Sequence, residues 1–536
     1  GLVLSVRGAG HNIAGTAVCE GGMMIDLSPM KSVRVDPVRA RAYVEPGATL
    51  ADFDHEAQAY GLATPLGVNS TTGVAGLTLG GGFGWLTRRF GMTIDNLLSA
   101  DVVTADGKLL HASEQDNPDL FWAIRGGGGN FGVVTMFEFQ LHPVGPEVYG
   151  GLVVLPLEQG KEALSKYRDA LATLPQELTV WAVLRLAPPL PFLPQAVHGK
   201  PMVAFAMCYS GDPANGPAAV EVVRSFGTPY GEHLGPMPYA AWQKAFDPLL
   251  TPGARNYWKS HNLGGLEDGL IDAIVAAVEN LPSPQCEIFL GYIGGVAAQV
   301  PVSAMAYPHR SAQFAMNVHG RWDFPEEDER CIAWARTLFR TTEPYAQGGV
   351  YVNFLTQDEP ERLGAAYGPN FDRLVQAIGK RTRFSENLRS QGMLGHQEVL
   401  GSQSLRAGDI AKHLGLTRTA PLLRVQIVGK AENRPISVSE HFFDEKRFPD
   451  FADRLASLRS ISKVYAHYGI GDYTRKWSRI TAALPTPEIA RLLGQPKTRP
   501  ILQVEALNVD QEASPLQYSV ARFVGDMVQL MVTDDS

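Results

Sequence analysis

The sequence predicts a multidomain α+β chain, and three observations carry that reading. Glycine-rich stretches follow short, apolar, strand-like runs within the first part, up to about residue 145. From there to about 345, strand-like runs alternate with longer helical patterns, the texture of an antiparallel sheet backed by helices. The last part, about 384 to 536, holds two long hairpins and a closing strand.

Taken in order, Leu2–Val6 reads as a buried strand and Met24–Leu27 and Ala42–Gly47 as two more, the second ending in a turn. Thr49–Tyr60 reads as a helix capped by Thr49 and stopped by Gly61. Asp101–Leu110 suits a hairpin turning at Asp106-Gly107. Asn117–Arg125 suits a short helix with Asn117 as cap and Pro118 first. Leu152–Leu155 and Met202–Met207 read as strands, Leu270–Val278 and Glu327–Arg336 as helices. Arg255–Ser260, aromatics beside cations, is a candidate pocket border. Val350–Phe354 reads as a strand with Tyr351 and Asn353 on one face. A helix from about Glu361 to Val375 follows, and another over Ser385–Gly392. The closing hairpins are Leu422–Val428 with Ile436–Phe442 and Ile501–Leu507 with Leu516–Phe523, then the strand Val528–Val532.

The chemistry concentrates in three stretches. Arg7-Gly8-Ala9-Gly10-His11-Asn12 sets a histidine at the mouth of a turn where no Cβ hinders a bulky ligand. Gly67–Trp85 and Arg125–Thr135 are the others. Neither of these two is a G-x-G-x-x-G opening a helix after a strand, and there is no Walker-type Gly-Lys-Ser/Thr. Their unencumbered backbone amides suit an anion nest of the kind that cradles a pyrophosphate.

Composition bounds the alternatives. At 536 residues the chain has room for several domains. A net charge of -8 argues against a general nucleic-acid binder. No apolar run is long enough to span a membrane. Cys19, Cys208, Cys286 and Cys331 lie far apart, so neither a disulfide framework nor a metal site is expected, and a cytoplasmic location is. No Ser-His-Asp order or H-E-x-x-H motif supports a hydrolase or metalloprotease.

The order of Arg7–Asn12, then Gly73–Asn96, then Arg125–Thr135 resembles the berberine-bridge-enzyme-like flavoproteins, FAD-linked oxidases of the vanillyl-alcohol-oxidase/PCMH superfamily. The resemblance implies a PCMH-type FAD-binding domain over 1–145, a substrate-binding domain over 146–345 and a return segment over 346–380. It implies FAD held by Arg7, Gly8, Ala9, Gly10, His11, Asn12, Thr71, Thr72, Gly73, Gly76, Thr78, Gly80, Gly81, Gly82, Asp95, Asn96, Gly132 and Val134. His11 matches the histidine that bonds the flavin covalently. Asn69 stands where many members have a second, cysteinyl link, so none is implied here. Tyr351 matches the first tyrosine of a Tyr-x-Asn-Tyr-like motif, and Phe354 replaces the last. The implied reaction is oxidation of a secondary alcohol on a sugar or an aromatic natural product. Hydride goes to flavin N5, Tyr351 acts as base once its pKa is lowered by a cation or the flavin, and molecular oxygen takes the electrons. Family segments before Gly1 and after about 378 have no counterpart, which implies a flavoprotein part truncated at both ends.

Residues 381–536 resemble the UTRA domain of GntR/HutC-type regulators, most closely those of phosphonate metabolism. Arg383–Leu388, Arg434–His441 and Asp472–Trp477 carry the likeness. It implies a chorismate-lyase-like fold and a small, often phosphorylated, effector held by Ser385, Arg424, Gln426, Glu440 and Tyr518. UTRA domains commonly pair, which leaves a homodimer open. No winged-helix pattern is present, so DNA binding is not expected of this chain. The alternative to an oxidase fused to a sensor is a regulator's ligand-binding region with a passenger flavoprotein fragment.

Overall fold

The computed structural model describes residues 4–378 and 395–524, apart from 106, 432–433, 459–460, 471–472 and 511. Ser385, the helix expected over Ser385–Gly392 and the closing strand Val528–Val532 lie outside the described residues. The chain divides into two units, residues 1–379 and 380–536.

In the first unit, β1 (Leu4–Arg7) pairs in parallel with β2 (Met23–Asp26). β3 (Val33–Asp36), β4 (Arg41–Val44), β5 (Leu97–Val103), β6 (Leu109–Ser113) and β7 (Val133–Gln140) form a sheet in the order β3-β4-β7-β5-β6. α1 (Leu50–Gln58) covers it, and its start is written locally: Thr49 accepts from the Asp52 amide while Asp52 accepts from the Thr49 amide. Its buried Leu50, Phe53 and Ala57 meet Val44, Phe137 and Phe139. α2 (Val74–Leu79) lies within the second glycine-rich stretch, and α3 (Pro118–Ile124) starts at Asn117 as expected. The Asn117 side chain donates to the His111 carbonyl instead of capping.

The second layer is a seven-stranded antiparallel sheet. Its strands are β8 (Glu147–Pro156), β9 (Leu178–Leu186), β10 (Pro201–Tyr209), β11 (Gly231–Pro238), β12 (Arg255–Leu263), β13 (Glu287–Tyr292) and β14 (Phe314–Trp322). They run in the order β11-β8-β10-β9-β13-β14-β12. The period of two sends Val180, Phe205, Leu290 and Met316 to one face. There they pack under α4 (Gly160–Ala170), α5 (Gly216–Arg224), α6 (Asp268–Val278) and α7 (Asp328–Thr342) through Tyr167, Val220, Ile274 and Leu338. The opposite face sends Trp181, Ala206 and Ala315 against Phe83, Trp85 and Tyr351. That second face is the one turned to the glycine-rich loops.

Two expectations need correcting. Val350–Phe354 is not a strand: the Phe354 amide donates to the Tyr351 carbonyl at 2.8 Å, closing a 3-10 turn over Val352–Phe354. The helix from Glu361 is interrupted at Gly368-Pro369, giving helices Leu363–Tyr367 and Phe371–Ile378. Gly368 takes φ +46°, and Pro369 has no amide with which to continue a helix.

The second unit is built on a six-stranded antiparallel sheet. Its strands are β15 (Gly395–Arg406), β16 (Pro421–Ala431), β17 (Arg434–Asp444), β18 (Thr474–Ala483), β19 (Ile501–Val509) and β20 (Pro515–Val524). The order β15-β16-β17-β20-β19-β18 contains both expected hairpins, β16 with β17 and β19 with β20. Val425, Ile427 and Phe443 point to one face, where Phe451, Leu455 and Tyr465 of two helices cover them.

Candidate functional site

The first two glycine-rich loops meet. A Cβ on Gly73 would stand 2.8 Å from that of Ala9, and one on Gly8 would stand 2.9 Å from the Pro46 carbonyl, so the close approach requires glycine. Gly10 turns the chain at φ +73°. Among the described residues, the backbone amides of Gly8, Ala9, Gly10, His11 and Asn12 donate to no protein acceptor. They form an open row of donors that includes His11. The His11 ring lies open to solvent, yet the surrounding loops desolvate it enough to lower its pKa and favour the neutral imidazole. Its Nε2 is 3.5 Å from the Thr71 hydroxyl, which donates to Asn69 Oδ1 at 2.7 Å. Asn69, Thr71 and His11 therefore share one corner.

Other expected contacts turn out to be scaffold. Arg7 pairs with Asp26 at 3.7 Å, and Asn12 Oδ1 closes its own loop by accepting from the Thr16 amide. Asp95 was expected at the cofactor, but its carboxylate takes both Arg310 Nη groups, at 2.6 and 2.8 Å, in a buried pair, and also accepts from the Met92 amide. Asn96 is buried, donating to the Phe90 and Met92 carbonyls and lying 2.6 Å from His142 Nε2. The Thr78 hydroxyl donates to the Val74 carbonyl, and Val134 belongs to the sheet core. Thr72 joins the loop ladder through its backbone, while Gly132 lies where a Cβ would strike the Val103 carbonyl at 2.5 Å. Gly76 alone faces open space.

Gly80, Gly81 and Gly82 pack directly on the return segment. A Cβ on Gly80 would overlap the Asn353 side chain, and one on Gly81 would stand 3.1 Å from the Tyr351 ring. The Tyr351 oxygen accepts from the Gly82 amide and from Asn353 Nδ2, both at 2.9 Å. Both bonds favour the phenolate, but burial outweighs them and pushes the phenol up to about 12. The protein's own groups thus raise this pKa and do not lower it. Gly80→Ala is expected to push Asn353 off the phenol and to lower melting temperature and activity together, which thermal unfolding and turnover assays would measure.

The open face of the seven-stranded sheet adds residues that spacing could not reveal. Alternation divides the Arg255–Ser260 border. Arg255 pairs with Asp328, and Lys259 with Asp358 and Glu359, on the helix side. Asn256, Trp258 and Ser260 face the loops. Trp258 sits edge-on to Phe354 at 5.5 Å, and Phe354 lies 5.0 Å from Tyr351. Asp247 accepts from the Ser70 amide and hydroxyl at 3.0 and 2.5 Å, clamping the loop that carries Asn69 and Thr71.

Beneath that loop Gln243 Nε2 donates to both Asp54 and the Gly67 carbonyl, at 3.1 and 3.0 Å. Burial raises the Asp54 carboxyl to about 7. A protonated Asp54 would donate to Gln243 Oε1, which otherwise has no partner. Because the folded pKa exceeds the unfolded one, stability falls as pH rises from about 4 to 7 and stays low above it. Asp54→Asn mimics the protonated pair. It is expected to raise the melting temperature at pH 8, by about 1–3 kcal/mol of stability, with little change near pH 4.

On one face of the second unit's sheet, Arg424 and Gln426 of β16 lie beside Glu440 of β17, and Tyr518 of β20 is buried on the same face. Gln426 registers with Glu440, and Tyr518 with Phe442. Glu440 accepts from Arg424 Nη1 at 3.4 Å and from Arg522 Nη1 at 2.8 Å. Arg522 escaped notice because it lies on the last hairpin strand, far from Arg424 in sequence. Tyr518 donates to Glu505 at 3.1 Å, and the His413 ring stacks on it at 4.4 Å. Glu440→Gln is expected to release both guanidinium groups and tighten inorganic phosphate binding about tenfold, measurable by calorimetry.

Residues 1–113 match the family described as FAD binding domain, and residues 390–529 match the UTRA domain. A FAD-linked oxidoreductase of Dictyostelium discoideum is 31% identical over 379 residues, covering 70% of this chain and 79% of that protein. The chain belongs to the FAD-linked oxidoreductases. The solved structure of BBE-like #28 from Arabidopsis thaliana shares the fold at TM-score 0.62 and 23% identity, over 71% of this chain and 84% of that one. A xylooligosaccharide oxidase from Myceliophthora thermophila in complex with xylobiose does so at TM-score 0.60 and 22% identity, over 71% and 84%. The berberine-bridge-enzyme-like assignment, the PCMH-type fold and the fusion to a UTRA domain are borne out. The open amides of Gly8–Asn12 and the glycine contacts that a Cβ would fill suit FAD. Among the described residues no helix is long and apolar enough to cross a membrane, and no cluster of His, Cys, Asp or Glu could hold a metal ion.

Proposed function

We propose that this FAD-linked oxidoreductase oxidises a secondary alcohol of a sugar or an aromatic natural product, with the flavin bonded covalently through His11. The supporting observation is the row of unused amides that includes His11, whose desolvation favours the neutral imidazole. Bound FAD supplies the hydride acceptor, its N5. Neutral His11 offers a ring nitrogen lone pair, and the Thr71 hydroxyl lies 3.5 Å from its Nε2 at the loop corner. Tyr351 is the base for the substrate hydroxyl. The Gly82 amide and Asn353 steady its oxygen once the proton has gone. Asn69 leaves His11 as the single tether. Oxygen is the electron acceptor, and a cytoplasmic location is in keeping with the buried thiols of Cys208, Cys286 and Cys331.

The second unit would sense a small anionic effector on the face bearing Arg424, Glu440 and Arg522, either as a monomer or paired with a second copy. The test is a substrate panel mixed anaerobically with purified protein, followed by air. Bleaching of the flavin band by an alcohol, with peroxide released on aeration, supports the reading. Effector binding by a protein devoid of flavin would favour a sensor with a passenger flavoprotein part.

A further inference from the structure

The far end of the loop-facing sheet surface carries an unusual charge balance. Arg185, His319 and Arg321 point there from β9 and β14, and each is more than nine-tenths buried. Arg185 Nη1 donates to Glu287 Oε2 at 2.8 Å, and Glu287 Oε1 lies 3.3 Å from His319 Nδ1. His319 Nε2 lies 2.9 Å from Asn256 Oδ1, an oxygen that also accepts from Arg321 Nη1 at 3.3 Å.

Arg321 spends its remaining donors on neutral oxygens, Gln285 Oε1 at 3.0 Å and the Thr251 carbonyl at 2.5 Å. Asp323, two residues on, is exposed to water. Glu287 is left to balance two guanidinium groups, with the His319 ring beside it. Burial pushes Arg321 below its ordinary pKa, the response of a cation short of counter-charge. Arg185 Nε has no partner at all. Positive charge held away from water is costly until an anion joins it.

This end communicates with Tyr351. Trp258 stands edge-on to His319 at 5.1 Å and to Phe354 at 5.5 Å, and Phe354 adjoins Tyr351. Along the same face, Trp258 Nε1, Ser260 Oγ, Asn262 Nδ2 and Asn317 Oδ1 are buried without partners. Ser260 and Asn317 sit opposite each other in register. Apolar rings near Tyr351 thus give way to unused hydrogen-bonding atoms and then to charge.

We propose that the Arg185–His319–Arg321 cluster determines specificity by binding a carboxylate on the substrate, whose alcohol lies at the Tyr351 end. The proposal rests on the alcohol-oxidase reading and narrows its substrate class to hydroxy acids, sugar acids among them. Trp258, Ser260, Asn262 and Asn317 bond the groups between the two ends. Glu287 holds Arg185 and His319 in place and prevents indiscriminate anion capture.

The test titrates full-length protein with D-galacturonate against D-galactose, D-glucuronate against D-glucose, and benzoate against benzyl alcohol. Flavin absorbance and tryptophan fluorescence are followed together. The acids are expected to bind roughly 10- to 100-fold more tightly than their neutral partners, the worth of a charge-assisted hydrogen bond. Arg321→Gln should bring acid and neutral ligand to parity at unchanged flavin content. Glu287→Gln should tighten acid binding further, an effect that a purely structural cluster would not produce. If no acid outbinds its neutral partner in the unaltered protein, the proposal is wrong. A colourless protein would instead sink the flavin reading, and the tryptophan signal would still decide the charge preference.

Discussion

His11→Ala is expected to yield protein whose acid-precipitated pellet is colourless, whereas the unaltered protein gives a yellow one. Among the described residues of this corner, His11 in the amide row is the candidate tether, since Asn69 offers no nucleophile. The substitution should leave the loop backbone in place, because Gly8, Gly10 and Gly73 set its course. Flavin is then expected in the supernatant, held by the amides alone. A yellow pellet from His11→Ala, or a yellow supernatant from the unaltered protein, would remove His11 from the role given to it. Thr71→Ala, which takes away the hydroxyl beside Nε2, is expected to slow flavin incorporation without abolishing it, measured as the yellow fraction of the pellet against time.

Tyr351→Phe is expected to lower turnover by about two to four orders of magnitude while flavin content stays unchanged, the range for loss of a general base. The pH profile makes the assignment more demanding. With the phenol pushed up to about 12, only a small fraction is ionised near neutrality, and that fraction grows tenfold per pH unit. Turnover by the unaltered protein should therefore climb through the alkaline range without reaching a plateau below about pH 10, and the Phe variant should be flat. Asn353→Ala removes one of the two donors to the phenol oxygen, which favours the neutral phenol further and should depress the whole profile. A plateau near neutral pH would mean that another group takes the proton.

Much of the fold was legible because its signals are local. Thr49 and Asp52 cap α1 within four residues, and both long hairpins of the second unit announce themselves by alternation across a turn. The cofactor loops were legible for a related reason: a glycine in a close approach has no substitute, so the approach is written into residue type. Tyr351 and Asn353 were paired correctly on the wrong backbone, since a 3-10 turn also brings them together. Asp95 was placed at the cofactor by the family motif, and its pairing with Arg310, far along the chain, was not legible. The charged cluster was invisible for the same reason. Arg185, Glu287 and Arg321 belong to different strands, and only the sheet order β9-β13-β14 makes them neighbours.

The alternation along β12 also bears on how such an oxidoreductase can change over generations. Arg255, Tyr257 and Lys259 secure the sheet to α7 and to Asp358, while Asn256, Trp258 and Ser260, interleaved with them, make no such anchoring bonds. One short segment thus separates architecture from selectivity at every second position. Replacements at the interleaved sites can redirect substrate preference by single steps, while the anchoring residues preserve the scaffold on which the next step is tried.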